Sequence, residues 1–210
     1  MIVDNWQNNG GAVMILDVSK YQGVINWQIV AAANIIERVI LRSTVRSGGL
    51  DTYFMENYKG IKENLHFLDS IDVYKFSYAR NCSDAFNECE ATLKALKSAE
   101  VLNEIGYLWL DLEGWGGRDY TRAETFDVAL GYLACCQMYG VELGIYCNWN
   151  YVHNILDKRL AFLPVWLARY NTKTGDYSPF DCVMWQYTSK GRITGINADV
   201  DISRYLTSWR

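Results

Sequence analysis

Short apolar or alternating runs recur along the chain at Met14–Val18, Arg38–Ser43, Val73–Ser77, Tyr107–Glu113, Leu143–Asn148, Val165–Ala168, Val183–Tyr187 and Asp199–Ile202. Each has the length and patterning of a buried strand. Between them, apolar positions recur at helical spacing over Trp27–Ile36, Thr52–Leu65, Asp84–Leu102, Arg122–Tyr139 and Tyr151–Leu160. Thr121 and Glu124 have the spacing of an N-terminal capping box, and Gly140 stands where a helix stop is expected. Strand alternating with helix is the pattern of a parallel sheet covered by helices. About eight strands with no compositional break predict an α/β fold, specifically an irregular TIM-like (β/α) barrel. The strands should be mostly parallel and some helices short or missing. The segment between Ala168 and Val183, with Gly175 and Pro179, is too short for a full helix, and almost nothing helical follows the last strand.

Composition narrows the function. Apolar residues are 50% of the 210 and charged residues 21%, ordinary for a globular protein. A formal charge of −4 argues against a nucleic-acid partner, which calls for a basic face. No stretch approaches the roughly 20 apolar residues of a membrane span, so no membrane partner is expected. Residues 1–13 lack the basic start and apolar run of a signal peptide and read as an extension before a single domain over 14–210. The six cysteines include no CxxC pair, and with only His66 and His153 no zinc-type ligand set can be assembled. Cys135, Cys136 and Cys147 lie in apolar surroundings, where a free cysteine behaves as a small hydrophobe, so free thiols are expected. Neither a metal nor a cofactor is called for.

The sharpest chemical signal is Tyr107-Leu-Trp-Leu-Asp-Leu-Glu113. Its alternation puts Leu108, Leu110 and Leu112 on one face, toward helices, and Trp109, Asp111 and Glu113 on the other, toward the barrel interior. The two acids close the strand, and barrel enzymes place their chemistry at that end. Acids two apart on a strand stand roughly 6–7 Å apart at the backbone, close enough for one to keep its proton at the other's expense. One protonated and one ionised carboxyl is the requirement for breaking a glycosidic bond. Asp17 ends the first strand and Asp201 lies in the last, so a closed barrel would gather these four carboxylates at one mouth. Tyr74, Tyr78, Tyr146, Trp149, Trp166, Tyr170 and Trp185 recur near strand ends as well, and rings with polar tips suit a sugar groove.

Asp17-Val-Ser-Lys-Tyr-Gln-Gly23, Leu110-Asp-Leu-Glu113, Val165-Trp-Leu-Ala-Arg-Tyr170, Met184-Trp-Gln-Tyr187 and Val200-Asp-Ile-Ser203 follow one another in that order. The set resembles glycoside hydrolase family 25, the Chalaropsis-type lysozymes that include many phage endolysins, from about Met14 to the C-terminus. The resemblance implies hydrolysis of the β-1,4 bond between N-acetylmuramic acid and N-acetylglucosamine in bacterial peptidoglycan, with net retention. It implies an enzyme acting outside the cell or on its wall, released by a phage-type route or carrying a leader trimmed from this chain. By the same resemblance Glu113 is the general acid and Asp111 its partner, as nucleophile or by steadying the substrate's acetamido group. Asp17 and Asp201 support them at the cleft. Tyr74, Tyr78, Tyr146, Trp166, Tyr170 and Gln186 are the expected substrate contacts. Two departures stand out: Asn26 precedes Trp27 where the family usually has Asp, and Thr44-Val-Arg-Ser-Gly replaces the common Thr-Glu-Gly.

Two other readings compete. A chitinase-like glycosidase also uses a D-x-E strand end, but Tyr107 and Trp109 occupy positions that its longer acidic run would fill. A catalytically inactive wall-glycan-binding protein accounts for the aromatics and leaves the acids unexplained.

Overall fold

A computed structural model of the chain describes residues 14–170, 180 and 182–206. The expected extension over 1–13 and the loop holding Gly175 and Pro179 lie outside the described residues. Eight strands close into a barrel in sequence order: β1 (Met14–Val18), β2 (Ile36–Arg42), β3 (Ile71–Phe76), β4 (Ile105–Asp111), β5 (Glu142–Asn148), β6 (Val165–Ala168), β7 (Cys182–Gly191) and β8 (Val200–Tyr205). Neighbours from β1 to β7 pair in parallel, whereas β8 runs antiparallel to both β7 and β1. Four helices cover the outside: α1 (Trp27–Ala32), α2 (Phe54–Asn64), α3 (Cys82–Ser98) and α4 (Arg122–Tyr139). Among the described residues no helix is long and apolar enough to cross a membrane.

Helix ends follow local chemistry. Thr121 and Glu124 close a reciprocal capping box at the start of α4, and Gly140 ends it in the left-handed region at φ 69°. At α1 the Asn26 side chain accepts from Ile29 N–H, so the amide performs the capping that an aspartate offers. This helix is shorter than its apolar pattern: it stops at Ala32, Asn34 takes φ 50°, and Ile36 already belongs to β2. The expected helix over Tyr151–Leu160 is absent. A single wide turn over Tyr151–Ile155 gives way to extended backbone at Leu156 and Asp157, and the Asp157 carboxylate caps a short 3₁₀ turn by accepting from Arg159 N–H at 2.9 Å. An aspartate that offers its oxygen to the backbone competes with the helix interior, and here it restarts the chain.

Two cores result from the alternation. Leu108, Leu110 and Leu112 join the layer between sheet and helices, while Ile15, Ile40, Trp109, Trp166, Val183 and Met184 fill the barrel itself. Trp109 plugs the centre. Its indole N–H donates to Asp72 Oδ2 at 3.0 Å, and Asp72 is held in turn by Arg38 at 2.7 Å and by Tyr107 N–H at 3.0 Å. Gly144 on β5 makes room for the plug, because a Cβ there would stand 2.3 Å from the Trp109 ring. All six cysteines are free thiols, five of them buried.

Candidate active site

Above the Trp109 plug lies a cavity of about 140 Å³ lined by Asp17, Tyr74, Asp111, Glu113, Tyr146, Trp166 and Asp201. It opens at the C-terminal ends of the parallel strands, where βα loops are free to vary without disturbing the sheet. A larger hollow of about 410 Å³ lies at the other end of the barrel, between Asn34–Arg38 and Phe67–Ser70. It contains none of the four clustered acids.

The carboxylates arrive from two directions. Asp17 and Asp201 are direct cross-strand partners on β1 and β8. Asp201 comes before most of its strand and not after it, and the antiparallel run of β8 is what brings it to this mouth. Asp111 and Glu113 come from β4, half-way round the barrel. The strand ends at Asp111, not at Glu113 as its alternation predicts. Pairing continues one step through Ser77 N–H to Asp111 O and Leu112 N–H to Tyr146 O, and Leu112 is still buried in the outer layer. Glu113 therefore keeps its inward side while standing on a loop, half-buried.

Burial governs the charges. Asp17 and Asp111 are both pushed well above the usual carboxylate range, first by desolvation and then by like charges: Asp201 for Asp17, and Glu113 and Asp17 for Asp111. Desolvation also raises Glu113, and with the Glu113 charge it lifts Asp201 to about 6. Two cations oppose this at Asp111, Arg42 and the buried Lys75. Arg42 also draws Asp17 down. Asp111 Oδ1 is buried without a hydrogen-bond partner in the protein.

Gln186 ties the tyrosines to the acids. Its Oε1 accepts from Tyr146 Oη at 2.9 Å and from Tyr170 Oη at 2.5 Å, and its Nε2 donates to Asp17 Oδ2 at 3.1 Å. Trp166 donates to Ser203 Oγ at 2.9 Å and meets the Tyr146 ring edge-on at 4.6 Å. Tyr74, Tyr146 and Trp166 thus line the cavity, with Gln186 and Tyr170 bonded to its wall. Tyr78 sits one loop further out against Phe76 and Trp115. Trp149 and Trp185 are not in the groove: Trp185 belongs to the outer core and donates to Arg169 O, and Trp149 stacks on His153 with the Arg169 guanidinium 3.7 Å from its ring centre.

Several site residues escape a reading by motif. Arg42 follows Ile40 by two on β2, so period-2 alternation alone places it inward at the mouth. Phe76 is the register partner of Asp111 and shares its level. Glu88, from α3, accepts from Ser77 Oγ at 2.7 Å, Tyr78 N–H at 3.0 Å and Tyr132 Oη at 3.0 Å, with Lys75 Nζ at 3.8 Å. No local signal ties Glu88 to β3, because the contact exists only once α3 has packed. Among the described residues no group of three His, Cys, Asp or Glu is arranged to hold a metal ion.

The family described as Glycosyl hydrolases family 25 matches residues 16–196. A curated relative, "Probable GH family 25 lysozyme 5" of Dictyostelium discoideum, is 29% identical over 154 residues, 69% of this chain and 67% of that protein. Among solved structures, the modular autolysin LytC of Streptococcus pneumoniae, in complex with a synthetic peptidoglycan ligand, superposes with a TM-score of 0.78 at 24% identity over 92% of this chain. This chain spans only 46% of LytC. The catalytic domain of endolysin ply40, from bacteriophage P40 of Listeria monocytogenes, superposes with a TM-score of 0.73 at 23% identity, over 95% of this chain and 96% of that one.

Proposed function

The chain belongs to glycosyl hydrolases family 25, and we propose that it is a lysozyme-type glycoside hydrolase acting on bacterial cell walls, cutting the β-1,4 bond between N-acetylmuramic acid and N-acetylglucosamine. The observation that carries this reading is the convergence of Asp17, Asp111, Glu113 and Asp201 on one cavity with tyrosine and tryptophan walls. The substrate class is supported by a curated lysozyme relative and by the peptidoglycan ligand of LytC.

Position and charge together separate the roles. Burial raises both Asp111 and Glu113, so the pair retains a proton above the ordinary carboxylate range. Arg42 and Lys75 favour the ionised form of Asp111, whereas nothing cationic draws Glu113 down. Burial and the neighbouring acids still lift Asp111 further than Glu113 despite these cations, so position assigns the donor: Glu113, on the half-buried loop beyond the strand, delivers the proton to the departing sugar oxygen. Asp111 acts in the anionic form that Arg42 and Lys75 favour and opposes the positive charge that develops on the sugar ring, either bonding to the anomeric carbon or holding the substrate's acetamido group for the same attack. Its unpartnered buried Oδ1 is the oxygen available for either task. Asp17 and Asp201 hold the opposite wall. Water reopens the intermediate with Glu113 acting as base, and the product retains the starting configuration.

The test is Glu113→Gln, nearly isosteric and unable to give up a proton. Turbidity loss of purified walls should fall by about 10²–10⁴, the worth of a positioned proton donor, while thermal melts stay superimposable. A folded variant with near-wild-type activity refutes the assignment. Reducing-end analysis of the products distinguishes muramic acid from glucosamine ends and so identifies the bond, and digestion of chitin separates the chitinase reading.

A further inference from the structure

We propose that Arg46 is a specificity residue at the rim of the mouth that binds a carboxylate carried on the muramic-acid substituent of the glycan, an inference that rests on the peptidoglycan reading above. Arg46 is exposed and belongs to the loop after β2. Its guanidinium carbon stands 4.8 Å from the Tyr78 ring centre and 5.1 Å from that of Trp115. These rings come from the next two βα loops, and Trp115 is only two residues beyond Glu113. The cation therefore lies on the same face of the barrel as the acids, on the flank formed by β2, β3 and β4.

The cradle is built from fixed parts. Val45 N–H donates to Gly49 O at 2.9 Å and Gly48 N–H to Val45 O at 3.0 Å, which closes a tight turn with Arg46 inside it. The buried Lys75 Nζ donates to Val45 O at 3.2 Å, and Thr44 meets Thr92 of α3 at 2.9 Å. Tyr78 is held by Glu88 through its backbone N–H. Trp115 sits in a turn whose Gly116 and Gly117 take φ 65° and 82°.

A neighbouring arginine shows what a purely structural role looks like. Arg80 lies over the Trp115 and Tyr120 rings, and its guanidinium donates to the carbonyls of Trp115, Arg118 and Asp119. Arg46 by contrast forms no ion pair among the described residues. Two aromatic faces fix its position and leave its planar donors toward solvent, the arrangement that suits bidentate recognition of a carboxylate. The mouth itself carries four acids and repels an anionic substituent. A glycan strand that enters with such a group must turn it toward the rim, and Arg46 offers it a partner there. The sugar that meets this description bears a 3-O-lactyl group, whose carboxylate is free in a peptide-stripped strand and replaced by the carboxylates of the stem peptide in an intact one.

The experiment compares Arg46→Gln and Arg46→Lys with the parent chain on three ligands: peptide-bearing glycan strands, the same strands after amidase removal of the peptides, and a neutral N-acetylglucosamine tetramer. Binding is measured by calorimetry in a Glu113→Gln background and turnover in the active one. Arg46→Gln should weaken binding of peptide-bearing strands about 3–10-fold, with KM rising equally, kcat within about twofold and Arg46→Lys between, as fits one rim-exposed charged contact. The tetramer should bind all three proteins alike. A loss confined to peptide-bearing strands identifies the stem peptide as the source, and a loss that persists after stripping identifies the lactyl group. Unchanged binding of both strands, or an equal loss with the tetramer, overturns the proposal. If the parent binds the strands through Arg46 yet cleaves neither, the hydrolase reading fails and this one stands.

Discussion

Gln186 donates from Nε2 to Asp17 Oδ2 at 3.1 Å, and through this bond the amide of β7 fixes the acid next to the last residue of β1. The same amide accepts from Tyr146 and Tyr170, so one side chain orients three groups around the cavity. Replacing it with an apolar isostere leaves two phenol hydroxyls and one carboxylate oxygen without their partner. Gln186→Leu should lower wall-lytic kcat/KM by about 10–100-fold, the loss expected when orienting hydrogen bonds of about 1–3 kcal/mol each disappear. Gln186→Glu should be worse, because it sets a further negative charge beside Asp17. Steady-state kinetics on soluble glycan strands, with circular dichroism as the folding control, decides this; a Gln186→Leu variant within twofold of the parent contradicts it.

Arg42 should set the acidic limb of the activity profile. Its charge favours the ionised forms of Asp111 and Asp17. In Arg42→Gln the ionised Asp111 loses that support, its pKa rises further, and the acidic limb moves to higher pH. On the proposed assignment the alkaline limb reports loss of the Glu113 proton and should move little. A pH–rate profile in which only the overall height changes would show that Arg42 is structural.

Stability should carry the opposite signature from activity. Asp17 titrates well above an unfolded aspartate, so between the two pKa values the folded state binds more protons than the unfolded chain. The stability it contributes is complete below the unfolded pKa of about 3.9 and is lost as pH rises through the folded one. Asp17→Asn removes that loss and should raise Tm at pH 7.5 by about 2–4 °C per kcal/mol recovered, with little gain at pH 3.5. Wall lysis should fall, though less than in Glu113→Gln, because the role proposed for Asp17 involves no proton transfer. Differential scanning calorimetry at the two pH values checks the sign.

Gly144→Ala should act from beneath the site. The new methyl would meet the Trp109 ring at 2.3 Å on the barrel floor, where the indole is pinned by Asp72. Overpacking of this kind costs about 1–3 kcal/mol. The cost should appear in the urea midpoint, and a partner change Trp109→Phe in the same chain should restore part of it.

Much of this site can be read without coordinates, for reasons specific to each residue. The bounds of β1, β6 and α4 agree with the apolar patterning because strand alternation, the Thr121 capping box and Gly140 are local signals. The inward side of Trp109, Asp111 and Glu113 follows from the same parity. What fails is context. Tyr151–Leu160 has helical periodicity, but the Asp157 cap and the short path to β6 override it. Trp149 and Trp185 stand near strand ends on the outward parity, and a list of aromatics does not distinguish the two faces. Glu88 is invisible to any motif, since its partners lie 10, 11 and 44 residues away.

The inverted last strand also decides where a cargo can be attached. β1 starts at the end of the barrel opposite the acids, and β8, running the other way, finishes there too, with Tyr205 5.8 Å from the Arg38 guanidinium. An eighth parallel strand would instead have ended beside the acids. A label carried on the side chain of Met14 or Tyr205, both partly exposed, therefore sits at the end of the barrel away from the four acids.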